Sequence, residues 1–216
     1  MNDPAAIIVG SAEGTALLRL CPDAVRLYPE DAVPHGIRAL VDARHPMDRA
    51  GHWRSWRAAN ARGLPYLRLE RPGYAPRPGD RWIRLRHLRA ASALVPRGAR
   101  VLATTGGEDY AALSRFAHAR LFIRRRSGRA RPPVQGAVML PGEGPFTIGS
   151  EMALMRRLGI DLLITRDAGG EGSYPKLAAA RRLNIPVILI ARAPAPPGRR
   201  VRTVQEAASW LVSAGS

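Results

Sequence analysis

The chain has 216 residues, 46% of them hydrophobic, with a single cysteine and a formal net charge of +17. The length allows one large domain or two small ones, and the apolar content suffices for their cores. A lone cysteine excludes a disulfide framework and a cysteine-based metal site, and we expect no bound metal. No apolar run has the length of a signal peptide or a membrane span, so we expect a cytoplasmic protein.

The excess of positive charge predicts an acidic partner. All but one of the 34 Lys+Arg residues are arginines, with a local cluster at 124–131, and arginine binds carboxylates and phosphates through two parallel hydrogen bonds. A nucleic acid, an anionic membrane surface and a small polyanion each fit this charge. Zinc-finger spacing, basic-zipper heptads and RNP aromatic patterns are absent from the sequence, so a nucleic acid is not the expected partner. We expect no membrane partner either.

In the first half of the chain, alternating strands and helices predict a small α/β domain. Strands are predicted at 5–9, 25–28, 39–42, 66–69 and 82–85, and helices at 16–20, 47–61 and 89–95. A glycine-containing loop with Ser11, Ala12 and Glu13 follows the first strand, as in dinucleotide-binding folds, although the full fingerprint is absent. Pro96, Arg97 and Gly98 have the composition of a domain joint, which predicts domains at 1–96 and 97–216.

In the second half the alternation restarts. Strands are predicted at 100–103, 121–123, 134–140, 160–165, 187–190 and 201–204, and helices at 108–117, 147–158, 174–183 and 205–214. The sheet to which the last strand belongs stays open. We therefore predict an α/β fold of two small Rossmann-like domains, with parallel sheets facing across a cleft where a ligand binds.

The glycine-rich loop at 166–173 is the main candidate for a ligand site. It follows an apolar strand, and open α/β sheets bind ligands at the carboxyl ends of their strands. Ser173 is predicted to cap the next helix, and Lys176, the only lysine, lies in the first turn of that helix. Both would suit a phosphate group at the helix N-terminus. The alternative is a loop that only turns the chain, beside a solvated lysine.

His45 follows the third predicted strand and has two interpretations. One is a loop histidine hydrogen-bonded to the backbone. The other is a ligand contact or a proton carrier, because histidine changes its charge near neutral pH. The residue type alone favours the first.

Five short motifs occur in an order that matches one known family. They read VDARHP at 41–46, PYLRLERP at 65–72, VLATTG at 101–106, GPFT at 144–147, and LITRDAGG at 163–170 followed by KLAAAR at 176–181. Together they resemble the precorrin-6A reductase (cobalt-precorrin-6A reductase) family of cobalamin biosynthesis. The chain departs from that family in its first loop, which reads GSAEG at 10–14 where the family usually has Gly-Gly-Thr-x-Glu-Ala.

The resemblance implies an NAD(P)H-dependent oxidoreductase acting on CH–CH bonds. The family transfers a hydride from a nicotinamide cofactor, usually NADPH and alternatively NADH, to a ring C=C bond of precorrin-6A, which gives precorrin-6B. In the anaerobic branch the substrate carries cobalt. An arginine-rich cleft would bind this polycarboxylate tetrapyrrole. The competing interpretation is a non-catalytic tetrapyrrole- or nucleic-acid-binding α/β protein.

The resemblance also implies which residues form the site. The cofactor phosphates and ribose would contact residues in the loops after strands: Ser11, Ala12, Glu13, Thr104, Thr105, Gly106, Thr165, Arg166, Asp167, Gly169, Gly170, Ser173 and Lys176. The substrate carboxylates would contact Arg44, His45, Tyr66, Arg68 and Arg71, although Arg68 and Arg71 would serve equally as solvated charges at a strand end. His45 is the candidate catalytic acid for the neighbouring ring carbon, with bulk water or the substrate's own acids as alternatives.

Overall fold

Two α/β units make up the computed structural model, which describes residues 3–106, 111–125 and 132–214. Unit 1 comprises Met1–Pro72 and Ala193–Ser216, and unit 2 comprises Gly73–Arg192. Each unit contains one parallel sheet, of five and six strands respectively. The α/β class and the two Rossmann-like sheets predicted from the sequence are confirmed.

Unit 1 is built on a sheet of order β11-β4-β3-β1-β2. Its elements are β1 (Ala5–Val9), α1 (Ala12–Leu20), β2 (Val25–Leu27), β3 (Ala39–Ala43), α2 (Arg49–Asn60), β4 (Tyr66–Leu69), β11 (Arg199–Val201) and α6 (Val204–Ser213). Every residue of β1 and β3 is buried, because helices cover both faces of a parallel sheet. One core lies on the side of Leu17 and Leu211, and the other contains Ala59.

Unit 2 is built on a sheet of order β5-β10-β9-β6-β7-β8. Its elements are β5 (Trp82–Leu85), α3 (Leu88–Ala91), β6 (Arg100–Thr104), β7 (Arg120–Arg125), β8 (Val138–Pro141), α4 (Ile148–Leu158), β9 (Leu162–Arg166), α5 (Pro175–Arg182) and β10 (Val187–Ile190). Short 3-10 helices cover Ser92–Leu94, Ala111–Phe116 and Glu171–Ser173. One core packs around Phe116, and the other packs between the sheet and the helices α4 and α5.

The predicted domain boundary at 96/97 is wrong, because two strands pair outside the half in which they were predicted. β5 was predicted in the first domain but pairs with β10, and β11 was placed in the second domain but pairs with β4. Strand pairing depends on contacts between segments far apart in the chain, which local periodicity does not encode. The observed division is therefore at 72/73 and 192/193.

Two predicted features, the helix at 108–117 and the arginine cluster at 124–131, lie only partly within the described residues. The helix predicted at 108–117 begins outside the described residues, and its described part, Ala111–Phe116, is a 3-10 helix. The arginine cluster is described only for Arg124 and Arg125 of β7, and its members Arg126, Arg129 and Arg131 lie outside the described residues. No helix within residues 3–106, 111–125 and 132–214 combines the length and the apolar character needed to cross a membrane.

Candidate functional site

The strand order of unit 2 is that of a dinucleotide-binding fold. Starting from the central strand β6, β7 and then β8 lie on one side, and β9, β10 and β5 lie on the other. This is the spatial order 3-2-1-4-5-6 of the Rossmann fold, except that the last position is taken by a strand that precedes the others in the chain. The order reverses between β6 and β9, so their carboxyl ends form the expected ligand position.

The loops after β6 and β9 meet at this position. Thr104 lies opposite Thr165 in the sheet, and its hydroxyl donates a hydrogen bond of 2.8 Å to the Thr165 hydroxyl. A Cβ atom on Gly106 would lie 4.0 Å from Nη1 of Arg166. Thr105 is only 3% exposed, and its hydroxyl has no hydrogen-bond partner among the described residues. The structure therefore brings five of the predicted cofactor residues together and leaves one buried donor unused.

Asp167 holds the loop after β9 in place. Its carboxylate accepts hydrogen bonds of 2.7 Å from the backbone N–H of Tyr74 and from Nη1 of Arg84, and its backbone N–H donates to the Ile190 carbonyl. A Cβ atom on Gly73 would lie 2.9 Å from the carboxylate, so only glycine allows this approach. We therefore revise its expected role from a cofactor contact to a support for the loop.

Gly169 and Gly170 shape the same loop. Both have positive φ angles, 67° and 74°, which glycine adopts without a steric penalty. Their carbonyl oxygens accept hydrogen bonds of 3.0 and 3.1 Å from the Tyr74 hydroxyl. Tyr74, the second residue of unit 2, therefore holds this loop in place through its hydroxyl group. The sequence did not indicate this contact.

The predicted Ser173 cap is wrong. Ser173 ends a 3-10 turn, and the residue at the cap position of α5 is Tyr174, whose side chain makes no capping hydrogen bond. The turn continues directly into the helix, since Tyr174 already has helical backbone angles (φ −69°, ψ −33°). The Ser173 side chain consequently lies one position too early to accept from the first helical N–H groups.

Lys176 lies in the first turn of α5, as predicted, but it is partly buried rather than solvated. Burial lowers the pKa of its ammonium to about 8, while the Glu151 carboxylate raises it and the Arg124 guanidinium lowers it. Glu151 accepts two hydrogen bonds from Arg124, of 2.5 and 2.9 Å. Glu151 was not predicted as a functional residue from the sequence. Its one local signal is its position as the only acid in the first turn of α4, where the helix dipole favours a negative charge.

In unit 1 the loops after β1 and β3 are in contact. A Cβ atom on Gly10 would lie 3.1 Å from Cα of Arg44 and 3.3 Å from the backbone nitrogen of His45. Ser11 caps α1 by accepting from the Gly14 N–H at 3.1 Å. The next two predicted cofactor residues, Ala12 and Glu13, are the first two of that helix. Glu13 accepts from Arg71 at 2.7 Å, so the two residues form an ion pair, and their expected ligand contacts stay predictions.

A buried polar network centres on Asp42 at the end of β3. The carboxylate accepts a 2.7 Å hydrogen bond from the Tyr66 hydroxyl and lies 2.9 Å from Nδ1 of His52. Burial would raise the pKa of Asp42, but these two contacts and the Arg44 charge hold it below its usual value. Burial and the neighbouring carboxylate raise the pKa of Tyr66. The hydroxyl of half-buried Tyr66 is thus held by Asp42, and its expected contact with the substrate stays a prediction. Neither Asp42 nor His52 had been predicted.

The other predicted substrate residues lie in different environments. Arg44 is buried and donates to the Pro29 carbonyl and, at 2.7 Å, to the Ser55 hydroxyl, so we revise it from a substrate contact to an internal support. His45 is exposed, and its Nδ1 accepts from the Met47 N–H at 3.3 Å.

Arg68 is a buried guanidinium with donors to spare. It is 5% exposed and forms an ion pair with Glu70 at 3.4 Å. Its Nε and Nη1 atoms have no hydrogen-bond partner among the described residues. Buried polar groups in native proteins are nearly always paired, so these donors favour an acceptor that comes from outside the chain.

Known proteins resemble this chain over most of its length. A sequence profile described as "Precorrin-6x reductase CbiJ/CobK" matches residues 31–212. The chain is 36% identical over 206 residues to the precorrin-6A reductase of Rhodococcus erythropolis, covering 94% of this chain and 77% of that protein. It is 25% identical over 205 residues to the cobalt-precorrin-6A reductase of Priestia megaterium, covering 87% and 80%.

The fold leads to the same family. A solved structure titled "CobK precorrin-6A reductase" superposes with a TM-score of 0.90 at 26% sequence identity, covering 98% of this chain and 97% of the other. The profile match includes residues of both units. The chain therefore belongs to the family described as precorrin-6x reductase CbiJ/CobK.

Proposed function

We propose that this protein is a precorrin-6A reductase of cobalamin (vitamin B12) biosynthesis, which transfers a hydride from NADPH to a ring C=C bond of precorrin-6A to give precorrin-6B. The observation that carries the proposal is the family match over residues 31–212. Relatives matched over 77% and 80% of their own length bear the names precorrin-6A reductase and cobalt-precorrin-6A reductase. The proposed location is the cytoplasm, which cell fractionation tests.

The edge of unit 2 between β6 and β9 suits a nicotinamide dinucleotide. When bound, such a cofactor supplies the hydride, and the protein supplies orientation and charge. No described residue accepts a hydrogen bond from the buried Thr105 hydroxyl, so this hydroxyl would donate to a phosphate or ribose oxygen of the cofactor. Thr104, Gly106, Thr165 and Arg166 line the same edge. Lys176 would add a positive charge at the start of α5, where phosphates are favoured.

The substrate is proposed to be a polycarboxylate tetrapyrrole, bound in part by unit 1. The Nε donor of Arg68, for which no described residue supplies an acceptor, suits a carboxylate, since hydrogen bonds between charged groups are the strong ones. His45 is exposed and lies after β3, so it is the proposed proton donor for the ring carbon next to the one that is reduced. Bulk water or a carboxylic acid of the substrate would be the alternative donor.

A direct assay tests the proposal. Purified protein is mixed with precorrin-6A and NADPH, and the loss of the nicotinamide absorbance band is followed together with the spectrum of the macrocycle. Cobalt-precorrin-6A serves as the parallel substrate. A change in the macrocycle spectrum on binding without nicotinamide oxidation would indicate a tetrapyrrole-binding protein. Salt-sensitive retention of generic DNA with no response to either substrate would indicate a nucleic-acid-binding protein instead.

A further inference from the structure

Tyr74 contacts the glycine-rich loop after β9 through both its side chain and its backbone. Its hydroxyl lies 3.0 Å from the carbonyl oxygen of Gly169 and 3.1 Å from that of Gly170, so both carbonyl groups accept from a single donor. Its backbone N–H donates to the Asp167 carboxylate at 2.7 Å. All four residues belong to unit 2, and the loop is the one to which the cofactor is proposed to bind.

Two further contacts fix Tyr74 in this position. Its carbonyl oxygen accepts from Nη2 of Arg84, and Nη1 of the same guanidinium donates to Asp167. Its ring lies 6.0 Å from the ring of Tyr174 in a tilted arrangement, a separation at which aromatic rings attract each other. Because the ring is already held, placing its hydroxyl against the loop costs little additional side-chain entropy.

The hydrogen bonds from Tyr74 also set the direction of the neighbouring N–H groups. The positive φ angles of Gly169 and Gly170, 67° and 74°, accompany a turn in which both carbonyl groups point at one hydroxyl. In a planar trans peptide, the carbonyl oxygen and the N–H of the next residue point in opposite directions. The N–H groups of Gly170 and Glu171 therefore point away from Tyr74.

These two N–H groups are available to a ligand. Neither donates to an acceptor within the described parts of the chain. Gly170 directly precedes the 3-10 helix Glu171–Ser173, and the first N–H groups of a helix have no partner inside it. Consecutive backbone N–H groups in a turn with left-handed residues form a concave site for an anion such as a phosphate.

We propose that Tyr74 is a positioning residue, whose hydroxyl holds the turn at Gly169 and Gly170 in the conformation that presents two N–H groups to a phosphate of the dinucleotide. This inference rests on the proposed function, because it requires the cofactor to bind at the loop after β9. Glycine loses more conformational freedom on ordering than any other residue. A turn that is ordered before binding spares the cofactor this cost, which strengthens binding. Tyr74 thus acts through the loop and leaves the hydride-transfer step unchanged.

Equilibrium titration with NADPH, together with steady-state kinetics, tests the inference. Tyr74→Phe removes only the hydroxyl and keeps the ring beside Tyr174. The Kd and KM for NADPH should rise about three- to tenfold, which corresponds to the loss of one neutral hydrogen bond, while kcat stays within about twofold. Tyr174→Phe is the matched control, because it removes a neighbouring hydroxyl that accepts from Arg181 and does not contact the loop carbonyls. It should change neither Kd nor KM.

Amide hydrogen exchange measured by NMR provides a second readout that does not depend on turnover. In the wild-type protein, NADPH should slow exchange at the N–H groups of Gly170 and Glu171. Without ligand, exchange at these two groups should be faster in Tyr74→Phe than in the wild type, and unchanged in Tyr174→Phe. If Tyr74→Phe does not fold by circular dichroism, the protection of the wild-type amides decides the question.

The possible failures distinguish this inference from the proposed function. An unchanged Kd in folded Tyr74→Phe, an equal effect of Tyr174→Phe, or a fall in kcat with KM unchanged would overturn the inference alone. Wild-type protein that binds NADPH without protecting Gly170 and Glu171 would do the same. Wild-type protein that binds no nicotinamide dinucleotide would overturn the proposed cofactor as well.

Discussion

The buried ion pair between Arg124 and Glu151 should contribute strongly to the stability of unit 2. The side chains are 8% and 1% exposed, and the guanidinium donates hydrogen bonds of 2.5 and 2.9 Å to the carboxylate. Glu151→Ala removes the acceptor and leaves the guanidinium buried. Because an uncompensated buried charge costs about 3–5 kcal/mol, the free energy of unfolding should fall by that amount.

Urea denaturation followed by circular dichroism measures this change. Thermal unfolding is a second measurement. For a chain of this size, each kcal/mol of unfolding free energy shifts the melting temperature by roughly 2–4 °C, so it should fall by roughly 6–20 °C. Glu143→Ala is the matched control, because it removes an exposed carboxylate close to the start of the same helix. That control should change the free energy of unfolding by less than about 0.5 kcal/mol.

Removal of both charges tests the electrostatic origin of the loss. The double variant Arg124→Met, Glu151→Leu places apolar side chains of similar size in the same space, and should recover most of the stability. A loss below about 1 kcal/mol in Glu151→Ala, the size expected for a solvent-exposed pair, would refute the reasoning. If the double variant were as unstable as Glu151→Ala, the lost free energy of unfolding would come from packing and not from the buried charge.

Three single substitutions probe the cofactor edge of unit 2 and the core of unit 1. Thr105→Val should weaken NADPH binding about tenfold but keep the free energy of unfolding within about 1 kcal/mol, because its hydroxyl has no hydrogen-bond partner among the described residues. Titration and thermal unfolding check this prediction, and an unchanged affinity would contradict it. Lys176→Ala should raise the KM for NADPH. The wild-type affinity should also fall as the pH rises through about 8, where the ammonium loses its proton, and a pH dependence that persists in the variant would contradict the assignment. Tyr66→Phe should cost about 1–3 kcal/mol in urea denaturation, because buried Asp42 loses a donor; an unchanged midpoint would contradict the role of this network.

Local sequence signals identified most strands and the positions of the strand-end loops. β1 and β10 are continuous apolar runs, and β3 and β9 are mostly apolar, as expected for strands buried on both faces. Thr147 was predicted to start α4, and its hydroxyl does accept from the Ser150 N–H at 3.1 Å. These features depend on residues within a few positions of one another, which is why periodicity and capping patterns reveal them.

Side-chain partners were predicted poorly wherever they come from distant segments. Tyr66 and Arg44 had the residue types of ligand contacts, but Asp42, Ser55 and the Pro29 carbonyl occupy their polar atoms. Asp167 lies in a predicted ligand loop, yet its carboxylate holds Tyr74 and Arg84 of another segment. A sequence pattern records that a polar group is present and leaves open which partner satisfies it.

The sequence alone determined the α/β class, the family and the loops where ligand chemistry is expected, because apolar runs, glycines and short motifs are local and survive without three-dimensional information. The tertiary structure decided which sheet receives β5 and β11, and therefore where the two units divide. It also separated buried Arg124 from partly exposed Arg125, two identical neighbours in the sequence. Strand pairing and burial are properties of contacts between distant segments, and only the folded chain brings those segments together.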